Sequence, residues 1–178
     1  CVADSLFSKP KAGKNHENIF TIIYVGGLHL NRWKSLLDVS AAIEKINKDE
    51  ERAILKIYCP VGDIELYSNH FSKFNSTKFE GSLSSSEVSS KLGTATVLLY
   101  LESFEPNVIK FTKFSLSTTI PQYMAAGKTI LAYGSKSLAS IQQILIAKAG
   151  EVVVENKIGA IEQKINFLLD NPDLLFSY

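Results

Sequence analysis

Six short, largely apolar runs punctuate this chain, and stretches with helical character separate them. The runs are Ile19 to Val25, Ala53 to Cys59, Thr77 to Glu80, Thr96 to Leu101, Thr129 to Ala132 and Glu151 to Val154. A strand with one wet face alternates polar and apolar residues, and these runs do not. Their pattern fits a parallel sheet covered on both faces. Right-handed crossovers then dictate an α/β domain with a doubly wound sheet of about six strands and helices on both sides. In such sheets ligands bind at the carboxyl ends of the strands, where the strand order reverses.

The helical stretches carry their own signals. Between Arg32 and Asn47 the apolar stripe is Trp33, Leu36, Leu37, Val39, Ala42, Ile43 and Ile46. Ser84-Ser-Ser-Glu87 is a capping box, and the helix it opens ends near Gly93. A short helix runs from about Ile120 to Ala126 and stops at Gly127. Ser137 to Ala149 ends at Gly150, and Ile158 to Asp170 places Ile161, Ile165, Leu168 and Leu169 on one face. Residues 63–74 read as helical in part, and residues 102–116 as one long loop. Residues 1–18 are polar, with Pro10 and Gly13, and read as a linker remnant ahead of one domain over residues 19–178. The chain starts without Met, which suggests a piece of a longer protein.

Composition narrows the classes. With 46% hydrophobic and 21% charged residues, a chain of 178 residues can bury a sizeable core. The formal net charge of +1 gives no global field for nucleic acid, so a small anion would be held by local geometry. No apolar run reaches the roughly 20 residues that span a bilayer, and the start does not read as a signal peptide. Cys1 and Cys59 are too few for a zinc site and read as reduced thiols of a cytoplasmic protein. His16, His29 and His70 have no partner at metal spacing. No metal is expected, and no cofactor.

Two segments carry the chemistry. Ser115 to Thr119 is hydroxyl-rich and leads into the helix of Ile120-Pro-Gln-Tyr-Met-Ala-Ala126. A helix entered this way points free backbone N–H groups and its positive dipole end at an anion, a setting suited to phosphate. The other segment follows the first strand and reads Gly26-Gly27-Leu28-His29-Leu30-Asn31-Arg32. Its two glycines let a ligand come close, and an arginine in the next helix can clamp a diphosphate with two donors. The third glycine of a dinucleotide fingerprint is missing, which argues against NAD. Glu102 and Glu105 follow the fourth strand and read as solvated loop acids, with contact to sugar hydroxyls as the alternative. His29 reads as a surface residue.

In order and spacing, the segment Gln122-Tyr-Met-Ala-Ala-Gly-Lys-Thr-Ile-Leu-Ala132 resembles the donor-binding signature of GT-B glycosyltransferases of the "glycosyl transferases group 1" (family 4) type. The resemblance covers roughly residues 19–170 and implies a Rossmann-like fold, the C-terminal, donor-binding half of such an enzyme. It implies a nucleoside diphosphate sugar as substrate and an acceptor-binding N-terminal half as partner. The implied activity is sugar transfer to a glycan or lipid-linked acceptor, as in surface polysaccharide synthesis, with the fragment alone inactive. The implied location is the cytoplasm, with peripheral contact of the full-length enzyme with the membrane.

By the same resemblance Gly26, Gly27, Arg32, Ser117, Thr118 and Thr119 bind the donor phosphates, and Gln122 takes the place of a ribose-binding glutamate. Glu102, Cys59, Gly81 and Ser82 fall where donor sugar or base would be contacted. No catalytic residue is assigned. The chain departs from the family pattern at Gly27, where an arginine is usual, at Arg32, where a lysine is usual, and at Phe114, where a first glutamate is usual. A divergent branch with the pattern Ser-x-Ser-Thr-x-Ile-Pro-x-Tyr-Met-Ala-x-Gly fits more closely. Two competing readings are a different nucleotide-sugar or phosphosugar enzyme on a doubly wound sheet, and a binding domain that has lost its donor chemistry.

Overall fold

The structure, a computed structural model, describes residues 19–176. The expected linker remnant 1–18, with Cys1 and His16, lies outside the described residues. Strand β1 (Phe20–Val25) is followed by α1 (Arg32–Ile46), β2 (Ala53–Tyr58), α2 (Val61–Tyr67) and β3 (Thr77–Gly81). Then come α3 (Ser85–Gly93), β4 (Val97–Leu101), α4 (Pro106–Thr112), α5 (Thr119–Ala125), β5 (Ile130–Tyr133), α6 (Ala139–Ala147), β6 (Gly150–Val153) and α7 (Ile158–Asp170). Short 3₁₀ turns at Ser68–Phe71 and Pro172–Phe176 complete the order.

All six strands are parallel, in the order β3-β2-β1-β4-β5-β6. The order reverses between β1 and β4, and this is the switch point of a doubly wound sheet. Alternate residues of each strand feed two cores. One face carries Ile22, Leu55, Ile57, Val97 and Leu99 against Leu36, Val39 and Ile43 of α1 and Ile161, Ile165 and Leu168 of α7. The other carries Ile23, Leu98, Ile130 and Ala132 against Leu92, Tyr123, Ile141 and Ile144. This two-sided burial explains why the central strands do not alternate, whereas the edge strand β3 does, with Lys78 and Glu80 exposed and Phe79 turned to the first core.

The capping box at α3 forms as the sequence predicts: the Ser84 N–H donates to the Glu87 carboxylate at 2.9 Å. The Ser84 hydroxyl, and then this N–H, hold the Glu87 carboxyl below the usual carboxylate range. One expectation is corrected. Residues 102–116 are not a single loop, because Pro106 to Thr112 form α4. Pro106 sits at the first helical position, where its missing N–H costs nothing. Thr112 is buried and Ile109 packs against the second core, which anchors this short, seven-residue helix.

Candidate functional site

The two strands at the switch point part early. β1 and β4 are in register only at Ile22↔Val97 and Ile23↔Leu98, whereas β1 and β2 stay paired along all of β1. Beyond that point backbone groups of β1 and β4 lose each other. The hydroxyl of Tyr123, from α5, fills the gap. It accepts from the Val25 N–H at 2.9 Å and donates toward the Leu99 carbonyl at 3.3 Å. Tyr123 is 1% exposed, and burial holds its phenol protonated far above the usual range. One side chain thus props the fork open and ties α5 to it.

A cavity of about 400 Å³ opens above this fork. Gly26, Gly27, His29, Leu30 and Arg32 line one wall, Tyr100 and Glu102 the floor, and Ser115 to Thr119 the other wall. The glycine turn is fixed from below. The buried Tyr24 hydroxyl donates to the Gly27 carbonyl at 2.8 Å, and Asp63 of α2 accepts the Leu28 N–H at 2.7 Å. Leu30 and Asn31 then both adopt left-handed backbone, at φ 55° and 58°. For a leucine this conformation is strained, and such strain concentrates at ligand sites. The double left-handed step aims the start of α1, and Arg32 with it, at the cavity.

Arg32 is already engaged. Its Nη2 lies 3.1 Å from Glu102 Oε1, and its Nε donates to Oε2 at 3.3 Å. Nη1 makes no hydrogen bond among the described residues, and the side chain is 18% exposed. Burial weighs against the charge on Arg32, but the Glu102 carboxylate prevails and raises its pKa further. Glu102 also accepts from the Tyr100 hydroxyl at 2.5 Å, and its own carbonyl accepts from Ser35 Oγ at 2.8 Å. The expectation of a solvated loop acid is therefore corrected: Glu102 is buried at 4% exposure. Its neighbour Glu105 does lie near the surface, paired with Lys34 at 2.7 Å.

The hydroxyl loop is held by a residue the sequence did not flag. Buried Ser140, in α6, donates to the Ser115 carbonyl and accepts from the Ser117 N–H, both at 3.0 Å. Ser117 Oγ in turn accepts from the Thr119 N–H at 3.2 Å. Thr118, at the N-cap of α5, makes no side-chain cap hydrogen bond, and the first helical amide, Thr119 N–H, is taken by Ser117 Oγ instead.

The structure thus brings Gly26, Gly27, Arg32, Glu102, Ser117, Thr118 and Thr119 around one cavity. Gln122 is exposed on α5 and lies outside the lining. Cys59, Gly81 and Ser82 also lie outside it, at the carboxyl ends of β2 and β3. Cys59 is buried, with its N–H bonded to the Gly81 carbonyl at 3.0 Å. His29 lines the cavity and occupies the space a side chain on Gly27 would need: an added Cβ there would lie 2.5 Å from its Nδ1. His70 stacks on Trp33 instead, with ring centroids 4.7 Å apart.

No protein-family model matches the chain, and no curated protein matches its sequence. Solved structures do match its shape. The C-terminal domain of LpcC, a glycosyl transferase group 1 family protein from Francisella tularensis, superposes with a TM-score of 0.69 at 14% identity. That alignment covers 99% of this chain and 91% of the domain. Sucrose-phosphate synthase from Thermosynechococcus elongatus gives 0.67 at 15% identity, over 91% of this chain and 39% of the synthase. WaaG, a glycosyltransferase involved in lipopolysaccharide biosynthesis, gives 0.61 at 13% identity, over 90% of this chain and 41% of WaaG. The chain spans well under half the length of these last two proteins. At such identities the likeness is one of fold: the chain has the Rossmann-like α/β fold that these glycosyltransferases also contain.

Proposed function

We infer that the chain is the donor-binding half of a glycosyltransferase. In this reading it holds a nucleoside diphosphate sugar at the switch-point cavity. A second, acceptor-binding half supplies a glycan or lipid-linked acceptor, and the product belongs to a surface polysaccharide. The observation that carries the reading is the convergence of three anion-directed features on one cavity: the glycine turn, the outer edge of the Arg32 guanidinium and the hydroxyl-rich entry to α5. Each suits a diphosphate, and no metal is needed where fixed donors neutralise it.

The roles follow the geometry. Gly26 and Gly27 allow close approach, and a Cβ on Gly26 would come within 3.1 Å of the Tyr24 hydroxyl. Arg32 is held in place by Glu102 and offers Nη1 to the phosphates. Ser117, Thr118 and Thr119 offer hydroxyls, and Thr118 its backbone amide, since the Ser117 and Thr119 amides are taken up by Ser140 and Ser117. For Gln122 to meet the ribose, the donor must extend beyond the cavity lining onto the exposed face of α5. A base seated near Cys59, Gly81 and Ser82 would extend toward β2 and β3.

Calorimetry with a panel of nucleosides and nucleoside diphosphates tests the reading. A charge-assisted hydrogen bond contributes about 1.5–3 kcal/mol, so Arg32→Ala should weaken diphosphate binding roughly ten- to hundredfold and leave nucleoside binding unchanged. Because that change orphans Glu102, Arg32→Lys serves as the folded control, with an intermediate loss. Failure of every diphosphate to bind, or equal losses for nucleoside and diphosphate, overturns the assignment.

A further inference from the structure

The charges of this chain are segregated along the sequence. Residues 106–150 contain five lysines and no Asp or Glu, a local charge of +5. The rest of the chain, with fourteen Lys and Arg against all eighteen Asp and Glu, is net −4. The fold gathers much of the basic run beside the cavity mouth. α4 turns Ile109 and Thr112 toward the domain and leaves Lys110 and Lys113 exposed. The Lys113 carbonyl accepts from the Ala139 N–H at 2.9 Å, which docks this segment on the start of α6, next to the exposed Lys136.

Between these lysines stand apolar side chains with no packing of their own. Phe111 is 79% exposed, Phe114 86% and Leu116 64%. Lys113 Nζ lies over the Phe114 ring, 5.4 Å from its centroid. The nearest acid in sequence, Glu105, is neutralised by Lys34. Aromatic and aliphatic tips interleaved with lysines, without acids, match an anionic lipid surface: the tips enter the acyl boundary and the ammonium groups meet the headgroups. A protein interface is the poorer fit, because such interfaces are depleted in lysine and favour arginine. The run 106–150 contains no arginine.

We propose that Lys110, Phe111, Lys113, Phe114, Leu116 and Lys136 form a docking surface for an anionic membrane. Phe111 and Leu116 also line the cavity, so a membrane seated there lies against its mouth. No helix among the described residues is long and apolar enough to cross a membrane, so the contact is peripheral. The proposal stands independently of nucleotide binding, because its test contains no nucleotide.

Co-sedimentation of the full chain with phosphatidylglycerol and phosphatidylcholine vesicles provides that test. The chain should partition onto the anionic vesicles alone, and less so at 1 M salt, where charges are screened within about 3 Å. Each lysine near such a surface is worth about fivefold, so K110E/K113E should weaken partitioning by at least about 25-fold. Phe114→Ser, which removes an exposed ring outside the cavity lining, should weaken it about tenfold. Ile146→Ser, an exposed residue at the opposite sheet edge, should change nothing. Unchanged melting temperatures confirm that the variants fold. If wild type does not partition, the surface belongs to an acidic protein partner and the proposal fails. If Phe114→Ser partitions like wild type, or Ile146→Ser loses as much, nothing is inserted at this patch and the proposal fails equally.

Discussion

Arg32 and Glu102, separated by 70 positions in the chain, close a two-pronged ion pair at the floor of the cavity. The pair joins the first turn of α1 to the end of β4, across the switch point. It does two things at once. It neutralises a carboxylate that Tyr100 alone could not support, and it fixes the plane of the guanidinium while leaving Nη1 uncommitted. Orientation of this kind is prepaid before any anion arrives.

A double-mutant cycle measures that pair. Removing one partner of a buried ion pair strands the other and costs about 3–5 kcal/mol. Arg32→Ala leaves Glu102 buried with only the Tyr100 hydroxyl, so it should fall in that range. Glu102→Ala should cost less, because the Arg32 side chain keeps 18% of its surface in water. The double variant should be more stable than the sum of the singles predicts, by about 1–3 kcal/mol. Denaturant midpoints for the four proteins supply the numbers, and additivity within about 0.5 kcal/mol would mean the two side chains do not interact in solution.

Cys59 should be chemically silent in the folded protein. Burial, then the neighbouring Asp63 carboxylate, push its thiol up to about 12. At pH 8 its thiolate is roughly a thousandfold scarcer than that of an ordinary cysteine. In a Cys1→Ser background, iodoacetamide should label Cys59 only as fast as the protein opens, and denaturant should accelerate the reaction. Labelling at the rate of a free thiol would place Cys59 on an accessible wall and reopen its candidacy as a ligand contact.

What the sequence shows and hides follows from the range of the forces involved. The strands were legible because burial on both faces leaves a continuous apolar run, a purely local mark. The α3 start was legible because Ser84 and Glu87 are three residues apart. α4 was not, since Phe111 and Phe114 point to solvent and blur any helical stripe; Pro106 at its first position was the one cue. The glycine turn and the hydroxyl loop could be assigned to one sheet edge from topology alone. The groups that join them could not. Ser140 reaches back 25 positions to Ser115 and Tyr123 reaches 98 to Val25, and neither distance leaves a period in the sequence. The same holds for Glu102, whose burial depends on an arginine supplied from the far side of the switch point.

Asp38 carries a pH dependence whose sign can be stated. Burial raises its carboxyl pKa, and the hydrogen bond from the Tyr133 hydroxyl, at 3.0 Å, only partly offsets this. The folded protein therefore holds this proton more tightly than the unfolded chain. The stabilisation is full below the unfolded carboxylate value of about 3.9 and is lost as pH rises through the folded value. Asp38→Asn keeps an acceptor for Tyr133 and removes the charge. It should melt at or above the wild-type temperature at pH 7, with the advantage fading below about pH 4. A lower melting temperature at pH 7 would show that the Tyr133 hydrogen bond to a charged acceptor outweighs desolvation.

Tyr123 offers the sharpest test of how the fork is built. Where β1 and β4 separate, the Val25 N–H has no strand partner at the switch point, and the phenol oxygen stands in for one. Tyr123→Phe preserves the ring that packs among Ile23, Ile120 and Ile141 and removes only the oxygen. A buried donor left unpaired costs about 1–3 kcal/mol, so the variant should lose that much stability without a change in denaturant slope. The loss should also be local. In amide hydrogen exchange, Val25 should lose protection, while the Lys56 amide, on the β1 side of β2 in the intact β1–β2 ladder, keeps it in proportion to global stability. Equal protection of Val25 in both proteins would mean that water or strand pairing replaces the hydroxyl. The cavity would then owe its shape to the glycine turn alone, with no contribution from the tie between α5 and the fork.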